Sequence, residues 1–208
     1  MSGSVGSDKQ RTELLAGLSG RVLEVGAGDG RNFALYPTAV SEVVAVEPEP
    51  YLRRLADVAA RTAPVAVTVL DGTAERLPLD AGVFDGAISS LVLCSVPDQS
   101  VALAQMHRAL VVGGELRFFE HVIAHHSLGS TVQRRLDSSG VWPRLGAGCH
   151  LSRDTLAAIE EAGFTIERVR RFSNGRGPLG LPFVLGCARR AAAPDEDSSA
   201  WSASASRA

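Results

Sequence analysis

Three glycines stand at every second position after a short apolar stretch, at Gly26, Gly28 and Gly30. The residues before them, Arg21–Val25, have the pattern of a short buried strand. Alternating glycines cannot continue a strand, but they allow a sharp turn whose backbone a ligand can approach closely. The pattern therefore predicts a ligand-binding turn at the end of a strand.

Two glutamates narrow the choice of ligand. Glu24 lies two positions before the first glycine, and Glu47 ends the next apolar stretch. A carboxylate about 20 residues after such a turn can accept both hydroxyls of a ribose. The turn has neither the GxGxxG spacing of a dinucleotide site nor the Gly-Lys-Ser/Thr end of a phosphate loop. An adenosyl ligand without a pyrophosphate fits these residues best.

Composition and charge exclude several classes of function. A formal charge of −2 gives no electrostatic argument for nucleic acid or an anionic membrane as the partner. The three widely spaced cysteines form neither a disulfide framework nor a CxxC metal motif, which favours a reducing compartment. No apolar run approaches about 20 residues, and no signal peptide is recognised. We therefore expect a cytoplasmic protein without stable membrane association.

Strand-like and helix-like segments alternate along the chain. This alternation predicts an α/β fold with a doubly wound, mostly parallel sheet and helices on both faces. Ligands of such sheets bind at the carboxyl ends of the strands, near the point where the strand order reverses. We expect a single domain over residues 9–190, a flexible N-terminus over 1–8 and a disordered Ala/Ser-rich tail over 191–208. The predicted strands are Arg21–Val25, Glu42–Val46, Val65–Leu70, Phe84–Ser90, Glu115–Val122, Thr165–Arg171 and Pro182–Arg190.

The predicted helices include a short one that starts at Arg31, one over Gln99–Leu110 capped by Asp98, and one capped by Ser152 that ends near Gly163.

Five segments, in order, resemble the motifs of the class I S-adenosylmethionine-dependent methyltransferases. They are Val22–Gly30, Val44–Pro48, Gly72–Pro78, Phe84–Ser90 and Arg108–Gly114. The resemblance implies S-adenosylmethionine as the cofactor and a Rossmann-like sheet of seven strands, the last of them antiparallel.

The same resemblance implies a role for each matching residue. The backbone at the glycine turn approaches the methionine part of the cofactor, and Asn32 is a side-chain donor near its carboxylate. Glu47 receives the ribose, Thr73 and Ala74 border the adenine, and Ser90 and Leu91 lie below the sulfonium. The expected cofactor-binding residues are Glu24, Gly26, Ala27, Gly28, Gly30, Asn32, Glu47, Pro48, Thr73, Ala74, Ser90 and Leu91.

A second, narrower resemblance concerns the methyl acceptor. Leu91–Val96, Phe119–Val122, Gly148–Arg153 and Ala162–Phe164 are similar to the methyltransferase-like seven group, which is associated with methylation of small alkyl thiols. This resemblance implies that residues 123–153 form a lid on the acceptor side. The expected partner is a small, fairly apolar nucleophile, for which a thiol is one option.

Two histidines are candidate general bases, and the sequence does not choose between them. His121 lies at the end of the fifth strand and His150 lies in a glycine-rich loop. A histidine near its usual pKa of about 6.5 can deprotonate an acceptor near neutrality. Either side chain could instead only anchor its loop. The His and Cys residues of this region match no zinc spacing, so we expect no metal: His121, His125, His126, Cys149 and His150.

Two other classes of function remain as alternatives. A non-catalytic protein that binds or senses S-adenosylmethionine would share the cofactor motifs, but the acceptor-side segment favours an enzyme. An NAD-linked oxidoreductase is disfavoured because GxGxxG is absent.

Overall fold

The computed structural model describes residues 8–124, 127–140, 144, 148–174 and 181–191. Residues 1–7 and 192–208, for which a flexible terminus and a disordered tail are predicted, lie outside the described residues. So do 125–126, 141–143 and 145–147 of the predicted lid, including His125 and His126.

Strands and helices alternate as the sequence predicts. The strands are β1 Gly20–Val25, β2 Val40–Val46, β3 Ala66–Leu70, β4 Phe84–Ser90, β5 Leu110–His121, β6 Phe164–Asn174 and β7 Leu181–Arg190. The helices are α1 Asp8–Leu15, α2 Pro50–Ala60, α3 Gln99–Ala109, α4 Ser127–Ser138 and α5 Thr155–Glu161, and Phe33–Leu35 form a 3₁₀ turn.

The seven strands form one sheet in the order β3-β2-β1-β4-β5-β7-β6. The first five strands of this order are parallel, and β7 runs antiparallel between β5 and β6. The predicted fold class and antiparallel last strand are thus confirmed. The strand order reverses between β1 and β4, where Val25 is in register with Ser89. A ligand site is expected at this edge of the sheet.

Apolar side chains of the strands pack against helices on both faces of the sheet. Leu23 and Val25 of β1 belong to one buried cluster with Leu103 of α3. Val22, which points the other way, belongs to a second cluster with Leu14 of α1. A small third cluster contains Cys94, Cys149 and Leu151. No helix in the described part of the chain is long and apolar enough to cross a membrane.

Local hydrogen bonds confirm one predicted helix cap and correct another. Asp98 caps α3 as predicted, accepting from the N–H of Ser100 and Val101. Ser152, in contrast, does not cap α5, because its N–H and hydroxyl both donate to Asp137; Asp154 is the cap instead.

The helix predicted from Arg31 is only the 3₁₀ turn Phe33–Leu35. The side chain of its N-cap residue, Asn32, makes no capping bond, because it is hydrogen-bonded to Glu24 and Arg11.

Candidate active site

A cavity of about 690 Å³ lies where the strand order reverses. Its volume is within the range of small-molecule sites. Eleven of the twelve predicted cofactor-binding residues line it; Gly30 does not. The lining residues are Arg11, Glu24, Gly26, Ala27, Gly28, Asp29, Asn32, Glu47, Pro48, Leu52, Thr73, Ala74, Glu75, Ser90, Leu91, Val92, Cys94, Ser95, Val96, Pro97, His121 and Cys149.

The glycine turn presents bare backbone to this cavity. Gly26 has φ +67°, and a Cβ there would lie 2.5 Å from Val92 Cγ2. Gly28 has φ +59°, and its Cβ direction meets no atom within 4 Å. Gly30 instead allows the turn to pack against α2, since a Cβ there would lie 2.8 Å from the Cβ of Ala59. Gly26 and Gly30 allow close packing, whereas Gly28 leaves space for a ligand.

Glu47 is fixed at the end of β2 by backbone groups. It is 5% exposed. Its Oε2 accepts from the N–H of Gly28 at 2.8 Å, and its Oε1 accepts from the N–H of Glu49 at 3.0 Å. A carboxylate has about four lone-pair sites. Two acceptor positions are therefore left for the hydroxyls of a ligand.

Glu24 is the centre of a buried hydrogen-bond network. Its Oε1 accepts from Asn32 Nδ2 and its Oε2 from Tyr36 Oη, both at 2.7 Å. Burial raises the pKa of Glu24 to about 7, although both hydrogen bonds and the charge of Arg11 act in the opposite direction. A positive group entering the cavity would favour the ionised carboxylate.

Arg11 is a site residue that the sequence analysis missed. It lies on α1, lines the cavity, and donates from Nη1 to Asn32 Oδ1 at 2.7 Å. Its Nε is buried and has no hydrogen-bond partner in the described part of the chain. Among the described residues that line the cavity, Arg11 is the one Lys or Arg. The residues around Arg11 in the sequence form no recognisable binding motif. Arg11 reaches the cavity only because α1 packs beside it.

Leu91, which directly follows β4 and lines the cavity, has an uncommon backbone conformation. Its φ is +63°, and its N–H donates to the carbonyl of Phe119 at 2.7 Å. A bulky residue with positive φ is strained, and such strain is concentrated at functional sites.

Cys94, His121 and Cys149, here called the Cys–His cluster, lie together on the cavity wall. His121 Nδ1 is 3.2 Å from Cys149 Sγ. The His121 ring packs against Phe183, with ring centroids 4.1 Å apart. The contact with Cys149, followed by burial, raises the pKa of the Cys94 thiol. Cys94 also belongs to a small buried cluster with Cys149 and Leu151.

Glu120 holds the segment after β4 in place. This fully buried carboxylate accepts from Ser89 Oγ at 2.6 Å and from the N–H of Val92, Leu93 and Cys94 at 3.1–3.2 Å. Burial raises the pKa of Glu120, against these four hydrogen bonds. Glu120 thus positions the backbone that carries Cys94.

Side-chain hydrogen bonds hold the described part of the predicted lid together and join it to the segment after β4. Asp137 of α4 accepts from the N–H of Leu151 and Ser152 at 2.9 and 2.7 Å. Arg153 donates to the carbonyls of Leu93 and Val96, both at 2.6 Å. His150 does not line the cavity, although its N–H donates to the Cys94 carbonyl at 2.7 Å.

Comparisons with known proteins agree with this geometry. Residues 23–118 match the family described as "Methyltransferase domain". The chain is 34% identical over 156 residues to human thiol S-methyltransferase TMT1A, a match over 72% of this chain and 63% of that protein. It is 30% identical over 162 residues to human thiol S-methyltransferase TMT1B, over 76% and 66% respectively. The matched part thus spans less than two thirds of either relative.

A solved structure gives the same result for the fold. The structure of a SAM-dependent methyltransferase from Methanosarcina mazei superposes with a TM-score of 0.64 at 19% identity, covering 83% of this chain and 93% of that one. Fold, glycine turn and family match together define a class I S-adenosylmethionine-dependent methyltransferase domain, whose cofactor is S-adenosylmethionine. Within that class, the chain is similar to the thiol S-methyltransferases TMT1A and TMT1B.

Proposed function

We propose that this protein transfers the methyl group of S-adenosylmethionine to the sulfur of a small, fairly apolar thiol. One observation carries the proposal: Glu47 and the Cys–His cluster line the same cavity of about 690 Å³. Cofactor and acceptor would therefore meet inside a single space, as a direct transfer requires.

Charged groups of the cavity match the charges of the cofactor's methionine part. Arg11 supplies a guanidinium for its carboxylate, and Glu24 supplies a carboxylate for its ammonium. Glu47 has acceptor positions for the ribose, and Thr73 and Ala74, which we expect to border the adenine, line the same cavity.

The acceptor side of the cavity is apolar and rich in sulfur. Val92, Val96 and Pro97 line it together with Cys94 and Cys149. These side chains favour a small uncharged molecule over a phosphate or a carboxylate. The names of the two human relatives support a thiol among such molecules.

Methyl transfer is an in-line displacement, so the protein has to align the acceptor and exclude water. A thiol acceptor must also lose its proton. Of the two candidate bases, His121 lies on the cavity wall and His150 does not, so we assign the proton transfer to His121. His150 is expected to act through its loop only.

Release of S-adenosylhomocysteine tests the proposal. Thiols, phenols and amines of similar size are compared as acceptors, after calorimetry has shown that S-adenosylhomocysteine binds. We expect turnover with thiols, a strong loss in His121→Gln and a small change in the matched variant His150→Gln. Binding without turnover on any acceptor would instead indicate a sensing protein, and absence of binding would contradict both functions.

A further inference from the structure

The Cys–His cluster brings together three metal-ligating side chains from three separate segments. Cys94 follows β4, His121 ends β5 and Cys149 belongs to the lid. One ligand atom of each lies within 4.8 Å of the others. All three residues are buried, with exposures of 1%, 9% and 5%. We propose that this cluster binds a thiophilic divalent cation, with Zn²⁺ as the preferred ion.

The distances fit a tetrahedral zinc site. Bonds of about 2.3 Å to sulfur and 2.0–2.1 Å to nitrogen place neighbouring ligand atoms about 3.5–3.8 Å apart. The contact of 3.2 Å between His121 and Cys149 lies just below this range, and the upper limit of 4.8 Å lies above it. Side-chain adjustments of about 1 Å or less would therefore complete the site.

The donor set selects the type of ion. Two thiolates and one imidazole suit zinc and other soft cations, and they disfavour Mg²⁺ and Ca²⁺. The His121 nitrogen that faces Cys149 is Nδ1, so Nδ1 is the candidate ligand atom of this ring. Three protein ligands with a fourth position open to substrate are typical of catalytic zinc sites. Here the fourth position would face the cavity, because all three residues line it.

Spacing along the chain could not reveal such a site. The sequence predicts no metal, because its His and Cys residues match no zinc spacing. Cys94, His121 and Cys149 are 27 and 28 residues apart and converge only through the sheet topology and the lid.

The cation would have a specific role in the reaction, and this step depends on the proposed thiol acceptor. The thiol would bind at the fourth position as a thiolate, releasing its proton to solvent. A sulfur lone pair then forms the bond to the methyl carbon, while the methyl–sulfonium bond breaks and leaves its electron pair on S-adenosylhomocysteine. The neutral thioether dissociates from the cation. In this form the cation lowers the pKa of the thiol, and the His121 imidazole binds the cation instead of accepting the proton.

A cobalt titration tests the site without cofactor or acceptor. Reduced full-length protein, freed of metal with a chelator, is titrated with Co²⁺ and then with Zn²⁺. We expect one Co²⁺ per chain with strong thiolate-to-cobalt absorption, displaced by one equivalent of Zn²⁺. Cys149→Ser and Cys94→Ser are expected to bind at least about tenfold more weakly and to lose much of this absorption. Cys187→Ser, at a buried cysteine of β7 outside the cluster, should bind like the parent.

Two outcomes would overturn the metal site: no thiolate absorption in the parent, or unchanged absorption in Cys149→Ser. Circular dichroism verifies that each variant is folded. If Cys94→Ser does not fold, the loss of cobalt binding in Cys149→Ser and His121→Asn tests the metal site instead. A negative result leaves methyl transfer with His121 as base intact. A protein that binds Co²⁺ but releases no S-adenosylhomocysteine with any acceptor would support the metal site and contradict the proposed function.

Discussion

The N–H of Gly28 donates to Glu47 Oε2 at 2.8 Å, which joins the glycine turn after β1 to the end of β2. The residue that leaves open space for a ligand is thus held by the carboxylate expected to bind the ribose. Shape and hydrogen bonding at the cofactor site depend on the same pair of residues.

Replacing Glu47 tests this pair. We expect Glu47→Ala to weaken binding of S-adenosylhomocysteine by about 5–150-fold, which corresponds to about 1–3 kcal/mol for lost hydrogen bonds to a charged group. Calorimetry measures the affinity. Glu49→Ala, which removes only the exposed cap of α2, should leave it nearly unchanged. Equal affinities in the two variants would remove Glu47 from the cofactor site.

Arg11 is expected to recognise the carboxylate of the cofactor. Arg11→Met should weaken binding of S-adenosylhomocysteine by about tenfold or more, because a charge-assisted hydrogen bond is lost. Binding of 5′-methylthioadenosine, which has no amino-acid part, should change little. Arg31→Met serves as the control, because Arg31 is 60% exposed and pairs with Asp29. An equal loss for both ligands would mean that Arg11 only stabilises the fold.

The titration of Glu24 predicts a pH dependence of binding. With its pKa raised to about 7 by burial, Glu24 is partly protonated at neutral pH, and a ligand ammonium favours the ionised form. Affinity for S-adenosylhomocysteine should therefore rise between about pH 6 and about pH 8, with release of a proton on binding. Calorimetry in buffers of different ionisation enthalpy detects that proton. In Glu24→Gln both the proton release and the rise should disappear.

Glu24 should also affect the stability of the cofactor-free protein, with a definite sign. Its pKa is about 7 in the folded chain and ordinarily 4.5, so the folded state binds more protons between these values. The contribution of Glu24 to stability is full below about pH 4.5 and is lost as the pH rises through 7. Denaturant unfolding of the parent and of Glu24→Gln at pH 5 and pH 8 measures this, and the difference between the two proteins should grow in favour of the variant at the higher pH.

Asp137 is expected to keep the lid in place without contributing to cofactor binding. Asp137→Ala removes three hydrogen bonds to Leu151 and Ser152, and the free energy of unfolding should fall by about 1–3 kcal/mol. Turnover should fall more than affinity for S-adenosylhomocysteine. Asp57→Ala, at an exposed position of α2, is the matched control. If turnover were unchanged, the lid would have no part in catalysis.

The cofactor half of the cavity could be predicted because its signals are local. A glycine turn after a strand and an acid at the end of the next strand occupy fixed places in a doubly wound sheet. Arg11 and the Cys–His cluster have no such signal, since they reach the cavity through helix packing, strand order and the lid. The cap predicted at Ser152 is wrong for a similar reason. Serine is a common helix-capping residue, but the Ser152 hydroxyl donates to the carboxylate of Asp137, 15 residues earlier in the chain.

The residues expected to bind the cofactor and those expected to contact the acceptor lie in separate parts of the sequence, so the acceptor side could be exchanged without changing the cofactor side. The residues expected to face the cofactor lie before position 92, whereas His121 ends β5 and Cys149 lies in the segment 123–153. The two ends of that segment lie together, because the N–H of Ile123 donates to the carbonyl of Arg153 at 3.1 Å, and the N–H of His150 donates to the carbonyl of Cys94 outside the segment at 2.7 Å. Chimeras that carry a relative's version of this segment should keep their affinity for S-adenosylhomocysteine while their acceptor preference follows the donor sequence.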